Sequence, residues 1–197
     1  MREVELKSVV DDIQLRRSAV EAAGGRLVFA GRLFDMRYDL PDHAMALRDH
    51  VLRLRVYEND ATRAAHLDWK GETCYEGGFK VREEITTMVV DGEALSEILR
   101  RLGFTVTIEI DRQIVQYELG DAVVRFEQYP DMDTLVEVEG PPEAIELAIG
   151  KLGLPRDGFT AERLPDFVAR FEARTGRMAS LSRAELEGDR RYRAEDA

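Results

Sequence analysis

Hydrophobic residues recur at helical spacing in three segments of the chain, and each of these segments ends at a glycine. Asp11 and Asp91 stand where the first two helices are expected to begin, and each is predicted to act as an N-cap. The predicted helices run from about Asp12 to Ala23, from Gly92 to Leu102 and from Pro142 to Leu152.

Between the helices, apolar and polar residues alternate with the period of two that a half-buried strand requires. Turn signals such as Gly120-Asp121 separate these segments. The chain is therefore expected to form one α+β unit dominated by about eight strands. The predicted strands are Arg2–Val9, Arg26–Tyr38, Val51–Glu58, Ala65–Lys70, Gly78–Thr87, Thr105–Glu118, Ala122–Tyr129 and Leu135–Glu139.

The character of the chain changes after about Gly158. A fourth helix is predicted over Leu164–Arg174, with two phenylalanines and a valine facing the body of the protein. Residues 185–197 are charged and poor in apolar groups, which is typical of a disordered tail. We therefore expect a single domain over residues 1–184, followed by this tail.

The amino-acid composition indicates which partners and which cellular compartment to expect for this protein. Hydrophobic residues make up 44% of the 197 residues, which is enough for a sizeable core. Acidic residues outnumber basic ones by 39 to 28, so neither a nucleic acid nor a membrane is an expected partner. Cys74 is the only cysteine, and the sequence shows no signal peptide or membrane span. These features predict a cytoplasmic protein, either a monomer or a homodimer.

Charged residues of both signs share one face of nearly every predicted strand, because residues two apart point the same way. The alternate face is mostly apolar. The charged rows are Glu3, Glu5 and Lys7; Arg53 and Arg55; His66, Asp68 and Lys70; Arg82 and Glu84; Arg112; Arg125 and Glu127; and Glu137 and Glu139.

For any single strand, a solvated surface row is the simpler interpretation of these charges. The repetition over almost all strands favours a different arrangement, in which helices cover the apolar faces and a closed sheet turns the charges inward. Buried charges of both signs call for a ligand. Arginine binds phosphate in a bidentate manner and clustered carboxylates bind Mg²⁺ or Mn²⁺. The pattern therefore predicts metal-assisted chemistry on a polyphosphate.

The order of these motifs resembles the CYTH-domain family, also called triphosphate tunnel metalloenzymes, from about Arg2 to Gly153. The family includes thiamine triphosphatases, inorganic triphosphatases and class IV adenylyl cyclases. The segments that carry the resemblance are Glu3-Val4-Glu5-Leu6-Lys7, Tyr38-Asp39-Leu40-Pro41-Asp42, Leu52-Arg53-Leu54-Arg55, Lys70-Gly71, Arg82-Glu83-Glu84, Arg112 and Glu137-Val138-Glu139.

The resemblance implies an eight-stranded antiparallel β-barrel, the triphosphate tunnel, with helices packed outside. Glu5, Lys7 and Glu84 are the residues expected to take part in catalysis. The residues expected to bind phosphate are Lys7, Arg53, Arg55, Lys70, Arg82, Arg112 and Arg125. The residues expected to bind Mg²⁺ or Mn²⁺ are Glu3, Glu5, Glu127, Glu137 and Glu139.

The sequence departs from the family pattern at several positions. Ile110 stands where the family usually has a lysine, so one phosphate contact is missing, and Arg125 on a neighbouring strand is a candidate to replace it. Glu127 stands where an aspartate is usual. Asp131-Met132-Asp133 replaces a Gly-Leu-Gly turn, so the shape of this loop is expected to differ.

Three functions are compatible with this sequence. The first is metal-dependent hydrolysis of inorganic tripolyphosphate, thiamine triphosphate or a nucleoside triphosphate. The second is a class IV adenylyl cyclase; the cyclase subgroup typically carries a His-Phe pair before its first signature glutamate, but only Met1 and Arg2 precede Glu3. The third is a non-catalytic polyphosphate-binding protein, which Ile110 and the altered loop at Asp131-Met132-Asp133 favour slightly. We expect the hydrolase.

Overall fold

A computed structural model describes residues 2–189 of the chain. The elements appear in the predicted order, and most boundaries lie within two residues of the expected ones. The strands are β1 (Arg2–Val9), β2 (Arg26–Asp39), β3 (Val51–Glu58), β4 (Arg63–Lys70), β5 (Cys74–Glu76), β6 (Phe79–Val89), β7 (Thr105–Leu119), β8 (Ala122–Gln128) and β9 (Leu135–Glu139). The helices are α1 (Ile13–Ala22), α2 (Gly92–Arg101), α3 (Pro142–Leu152), α4 (Leu164–Thr175) and α5 (Arg183–Leu186).

The sheet closes on itself into an antiparallel barrel. Its strands follow the order β1-β9-β8-β7-β2-β3-β4-β6, and β6 pairs with β1 to complete the ring. The prediction of an eight-stranded antiparallel barrel is therefore confirmed. The short strand β5 was not predicted; it adds to β6 beside the barrel, where Cys74 lies opposite Val81.

Helices cover the outer, apolar faces of the strands, as the alternating pattern predicts. Helix α3 packs Ile145 and Ile149 on Val124 and Val138 of the barrel. Helix α2 packs on the far side, where Leu99 meets Leu54. Because these faces are buried under helices, the alternate, charged faces of the same strands turn to the interior of the barrel.

Helix α4 packs over one end of the barrel. Its residues Phe167 and Phe171 contact Ile108, Ile110 and Leu135 in one apolar cluster. Ile110 and Leu135 lie two residues from Arg112 and Glu137, so they share the interior face with these charged residues. The helix therefore covers the interior where β7 and β9 begin.

The loop at residues 131–133 is tied to the end of α4. Asp131 Oδ1 accepts a hydrogen bond of 2.7 Å from Arg177, and Asp133 Oδ1 accepts one of 2.6 Å from Arg174. These ion pairs give the two aspartates that replace the expected glycine turn a structural role.

Two details of the sequence prediction need correction. The N-cap of α1 is Asp12, whose Oδ1 accepts hydrogen bonds from the backbone N–H groups of Gln14 and Leu15, and not Asp11. The tail was predicted to start at residue 185, but Glu185 lies in α5, is buried, and forms a capping box with Ser182. Residues 190–197 of the predicted tail lie outside the described residues.

Residues 2–189 contain the helices α1 to α5. None of the helices there has the length and apolar character needed to span a membrane.

Candidate active site in the barrel interior

The barrel interior holds a cavity of about 450 Å³ to which all eight barrel strands contribute side chains. Of the predicted site residues, Glu3, Glu84 and Glu139 do not line the cavity directly. The predicted residues that do line it are Glu5, Lys7, Arg53, Arg55, Lys70, Arg82, Arg112, Arg125, Glu127 and Glu137.

Four carboxylates lie close together in the barrel interior on the neighbouring strands β1 and β9, and two of them, Glu5 and Glu137, line the cavity. We call Glu3, Glu5, Glu137 and Glu139 the acidic wall. Glu5 lies directly opposite Glu139 in the strand register, so the carboxylates are concentrated in a small volume. Glu3, Glu5 and Glu137 are each at most 5% exposed.

Lysine ammonium groups neutralise most of the acidic wall. Lys70 Nζ donates to Glu3 at 2.6 Å, and Lys80 Nζ donates to Glu5 Oε1 at 2.5 Å. Lys7 Nζ donates to Glu5 at 2.8 Å and also forms an ion pair with Glu137.

The pKa values show where negative charge remains in excess. Burial raises the pKa of Glu5, but the opposing effect of Lys7 and Lys80 is larger. The pKa of Glu5 therefore lies well below its usual range. Burial and then Glu3 raise the pKa of Glu139, and no ion pair of its side chain occurs within the part of the chain that the structure describes. Glu139 therefore marks a position where an added cation would be stabilised.

The opposite side of the cavity is dominated by guanidinium groups. We call Arg53 and Arg55 of β3 and Arg112 of β7 the arginine wall. Asp35 lies at its centre: Arg55 Nε donates to it at 3.0 Å and Arg112 Nη1 at 3.1 Å, and Arg53 Nη1 is 3.8 Å away. Asp68 accepts a further hydrogen bond of 2.8 Å from Arg53 Nε.

Asp35 is ionised by its surroundings although it is only 1% exposed. Burial raises the pKa of Asp35, but Arg55, Arg112 and Arg53 together hold it well below the usual range. In return, Asp35 raises the pKa of Arg55, and together with Tyr57 and Asp68 it outweighs the opposing effect of burial. The aspartate thus fixes three guanidinium groups beside the cavity.

Glu127 and Arg125 link the two walls. Glu127 accepts hydrogen bonds of 3.1 Å from Arg112 and 2.6 Å from the Tyr129 hydroxyl group. Burial raises the pKa of Glu127, but Arg112 and Arg125 lower it to about 2. Arg125 Nη2 forms an ion pair with Glu137, so this arginine is already neutralised by carboxylates.

Arg82 and Glu84 complete the predicted set on β6. Arg82 Nε donates to the backbone carbonyl of Gly71 at 2.7 Å, and its nearest carboxylate, on Asp49, is 3.9 Å away. Glu84 lies 3.5 Å from both Arg53 and Lys70, between the two walls. Its position is that of a residue that orients its basic neighbours.

Sequence reasoning missed several charged residues that belong to this site, and three of them are central to its charge balance. Asp35, Arg37 and Lys80 all line the cavity. A signal for each was present, since Asp35 and Arg37 are two residues apart on a predicted strand, and Lys80 extends the row of Arg82 and Glu84. They were overlooked because none of them falls on a family motif.

The donors of the acidic wall suit a hard divalent cation, since Mg²⁺ and Mn²⁺ prefer oxygen ligands. Within residues 2–189, however, no three histidine, cysteine, aspartate or glutamate side chains are arranged so that they could hold a metal ion. Lysine ammonium groups instead lie on carboxylate oxygens of Glu3 and Glu5. A metal ion would have to displace at least one ammonium group.

Comparison with known proteins gives a family and a fold. The model of the CYTH domain matches residues 1–149. No curated protein matches the sequence significantly. Several solved structures share the fold at low sequence identity.

Three of these structures illustrate the degree of structural similarity and of sequence identity. A candidate adenylate cyclase from Vibrio parahaemolyticus has a TM-score of 0.72 at 15% identity, covering 85% of this chain and 97% of its own. The PH1819 protein from Pyrococcus horikoshii has a TM-score of 0.70 at 20% identity, covering 89% and 99%. A candidate adenylyl cyclase from Hippeastrum, described as having a dominant triphosphatase activity, has a TM-score of 0.62 at 17% identity, covering 91% and 99%.

Proposed function

Because the chain belongs to the CYTH domain family, we propose that it hydrolyses a triphosphate inside the barrel with the help of Mg²⁺ or Mn²⁺. The observation that carries this proposal is that the cavity in the barrel interior is lined by the arginine wall and by Glu5 and Glu137 of the acidic wall. Phosphoryl transfer needs groups that bind a polyanion and groups that bind its metal ions, and few other reactions need both.

The arginine wall is suited to hold the phosphate chain. Its guanidinium groups are fixed by Asp35 and Asp68 before any ligand enters, so little reorganisation is required when charge develops on the phosphoryl oxygens. Arg82 adds a donor that is anchored by a backbone carbonyl group. Such preorganised donors stabilise the transition state more than the flexible substrate.

The acidic wall is suited to hold the metal ion. Glu3, Glu5 and Glu139 would provide oxygen ligands, and Glu137 is close enough in the register to add another. The bound metal ion would neutralise phosphate charge and make a water molecule more acidic. Lys7, between Glu5 and Glu137, would keep both carboxylates oriented and donate to a phosphoryl oxygen once a ligand has entered.

Orthophosphate release from inorganic tripolyphosphate tests this function. We expect release with Mg²⁺ or Mn²⁺ and none with EDTA. Glu5→Gln is expected to lower the rate by at least about a hundredfold, in the range found for groups that act on transition-state charge. Glu97→Gln on the exposed face of α2 is the matched control and should leave the rate unchanged. Full activity in EDTA or in Glu5→Gln would contradict the proposal.

The same assay with other substrates identifies the organic group that leaves. Thiamine triphosphate and ATP are the two alternatives to tripolyphosphate. Because two of the similar structures are candidate adenylate cyclases, the ATP reaction should also be analysed for cyclic AMP. Formation of cyclic AMP with pyrophosphate, in place of orthophosphate, would replace the hydrolase with a cyclase. Binding of all three compounds without turnover would indicate a binding protein.

A further inference from the structure

Arg37 differs from the other arginines that line the cavity. It lies on β2, in direct register with Arg53 of β3 and Ile108 of β7, and its side chain is half-buried. Asp35, two residues away on the same face, already serves three other guanidinium groups.

The Arg37 guanidinium group has no counterion within residues 2–189. It forms no ion pair and no side-chain hydrogen bond there, and its Nε is buried without an acceptor. Arg53, Arg55 and Arg112, in contrast, each bind at least one aspartate or glutamate. Arg125 Nε also lacks a hydrogen bond, but it lies 3.4 Å from Glu127.

Other cations surround Arg37. Burial and the neighbouring Arg53 lower the pKa of Arg37 to about 10, with smaller contributions from Arg112 and Arg82, and Asp35 opposes them only in part. Even so, the side chain stays protonated at neutral pH. A charge held beside like charges without a partner destabilises the folded protein unless an anion binds there.

Ile110 leaves the cavity without a positive charge that the positive charge of Arg37 could replace. It lies on β7 opposite Asp35, on the face that lines the cavity, where the resemblance to the family predicts a lysine. In this chain Ile110 packs instead in the apolar cluster with Phe167 and Phe171 of α4. Arg37 projects from the neighbouring strand, one interior position further toward the loop that follows β2.

We propose that Arg37 is a phosphate-binding residue that supplies the positive charge that Ile110 cannot provide. The inference rests on the proposed function, because its ligand is the phosphate chain of the substrate. The ligand provides the anion that Arg37 lacks, so that Arg37 holds phosphoryl oxygens at the α4 end of the cavity, next to Arg53. Arg125 does not take this role, because Glu137 and Glu127 already neutralise it.

The test combines ligand binding with stability and does not depend on turnover. Calorimetry with sodium tripolyphosphate in EDTA is carried out on the full chain and on Arg37→Met, Arg37→Lys and Arg125→Met. We expect Arg37→Met to weaken binding by about tenfold or more, as the removal of one charged hydrogen bond does. Arg37→Lys should recover part of the affinity because it restores the charge. Arg101→Met on the exposed surface of α2 is the control and should bind normally.

Thermal unfolding without ligand separates a binding role from a structural one. Arg37→Met should raise Tm by roughly 2–4 °C, because it removes an uncompensated charge. Arg125→Met should lower Tm, because it leaves Glu137 without its arginine. Tripolyphosphate should raise Tm less in Arg37→Met than in the wild-type protein.

The binding and unfolding measurements together decide whether Arg37 binds phosphate. Wild-type affinity in Arg37→Met, a lower Tm of its ligand-free form, or a decrease in affinity confined to Arg125→Met would overturn it. If the wild-type protein does not bind tripolyphosphate in EDTA, the role of Arg37 fails, whereas the proposed function is decided separately by the metal-dependent release assay. If it binds tripolyphosphate through Arg37 but hydrolyses no triphosphate, only the proposed function fails.

Discussion

The acidic wall and the arginine wall both lie in the barrel interior but are neutralised in different ways. In the acidic wall, each lysine forms an ion pair with one or two of the glutamates, as Lys70 does with Glu3. In the arginine wall, one carboxylate, Asp35, serves three guanidinium groups. The acidic wall is a chain of ion pairs made mainly by lysines, and the arginine wall is a network in which Asp35 has the most partners.

This difference indicates which wall can rearrange. An ammonium group is a compact charge on a flexible stem, so Lys70 or Lys80 can turn away from its glutamate when a metal ion or a phosphate competes. A guanidinium group is planar, and its hydrogen bonds fix its orientation. We therefore expect the acidic wall to exchange partners during the reaction, and the arginine wall to keep its geometry.

Asp35→Asn is the change expected to have the largest effect on this comparison. It removes the counterion of Arg53, Arg55 and Arg112, and breaking a buried ion pair in this way costs about 3–5 kcal/mol. Urea unfolding followed by circular dichroism measures the decrease in stability. Asp11→Asn is the control, because Asp11 pairs with Arg16 on the surface and its replacement should change little. An Asp35→Asn protein as stable as the wild type would disprove the network.

Acid removes the same charge without a substitution. Burial raises the pKa of Asp35, but the three arginines hold it well below the usual value of 3.8. A carboxyl group with a lowered pKa stabilises the fold above its unfolded pKa, and the stabilisation is lost as pH falls through the folded pKa. The difference in unfolding free energy between the wild type and Asp35→Asn should stay constant above about pH 5 and shrink below about pH 4. A difference that is already absent at pH 6 would show that Asp35 is not held ionised.

Divalent metal ions should act on the acidic wall alone. At a concentration of about 100 times its Kd, Mn²⁺ bound only to the folded state would raise the unfolding free energy by about 2.7 kcal/mol. Glu139→Gln should remove most of this increase, because Glu139 is the carboxylate with excess negative charge around it. Arg55→Lys should keep the increase. An equal stabilisation by Mn²⁺ in Glu139→Gln would place the metal ion elsewhere.

Arg55→Lys should give the smallest effect, and it tests whether geometry matters beyond charge. The lysine keeps the positive charge but cannot form the forked contact with Asp35, which is expected to cost about 1–2 kcal/mol. Arg26→Lys is the matched control, because Arg26 forms an exposed pair with Glu118 that contributes little. Equal stability of Arg55→Lys and the wild type in urea would mean that the arginine wall depends on charge alone.

The alternation of residues along the strands predicted most of the site. Glu5, Arg53 and Arg125 lie on the interior face because their neighbours in sequence are apolar and pack under helices. The pairing of these charges was not predictable, since strand order decides which residues meet across the barrel. Asp35 shows this clearly: its partner Arg55 is 20 residues away and its partner Arg112 is 77 residues away.

The sequence by itself determined that the barrel would have an inside and an outside, because side chains in a strand alternate between two faces and only one of these faces is apolar. Motif spacing indicated the family as well. Only the tertiary structure decided which charges are neutralised and which remain free. Arg37 is left without a counterion among residues 2–189 because Asp35 already serves Arg53, Arg55 and Arg112. Strand closure and register fix that balance, since they place groups that are distant in sequence within a few ångströms of each other.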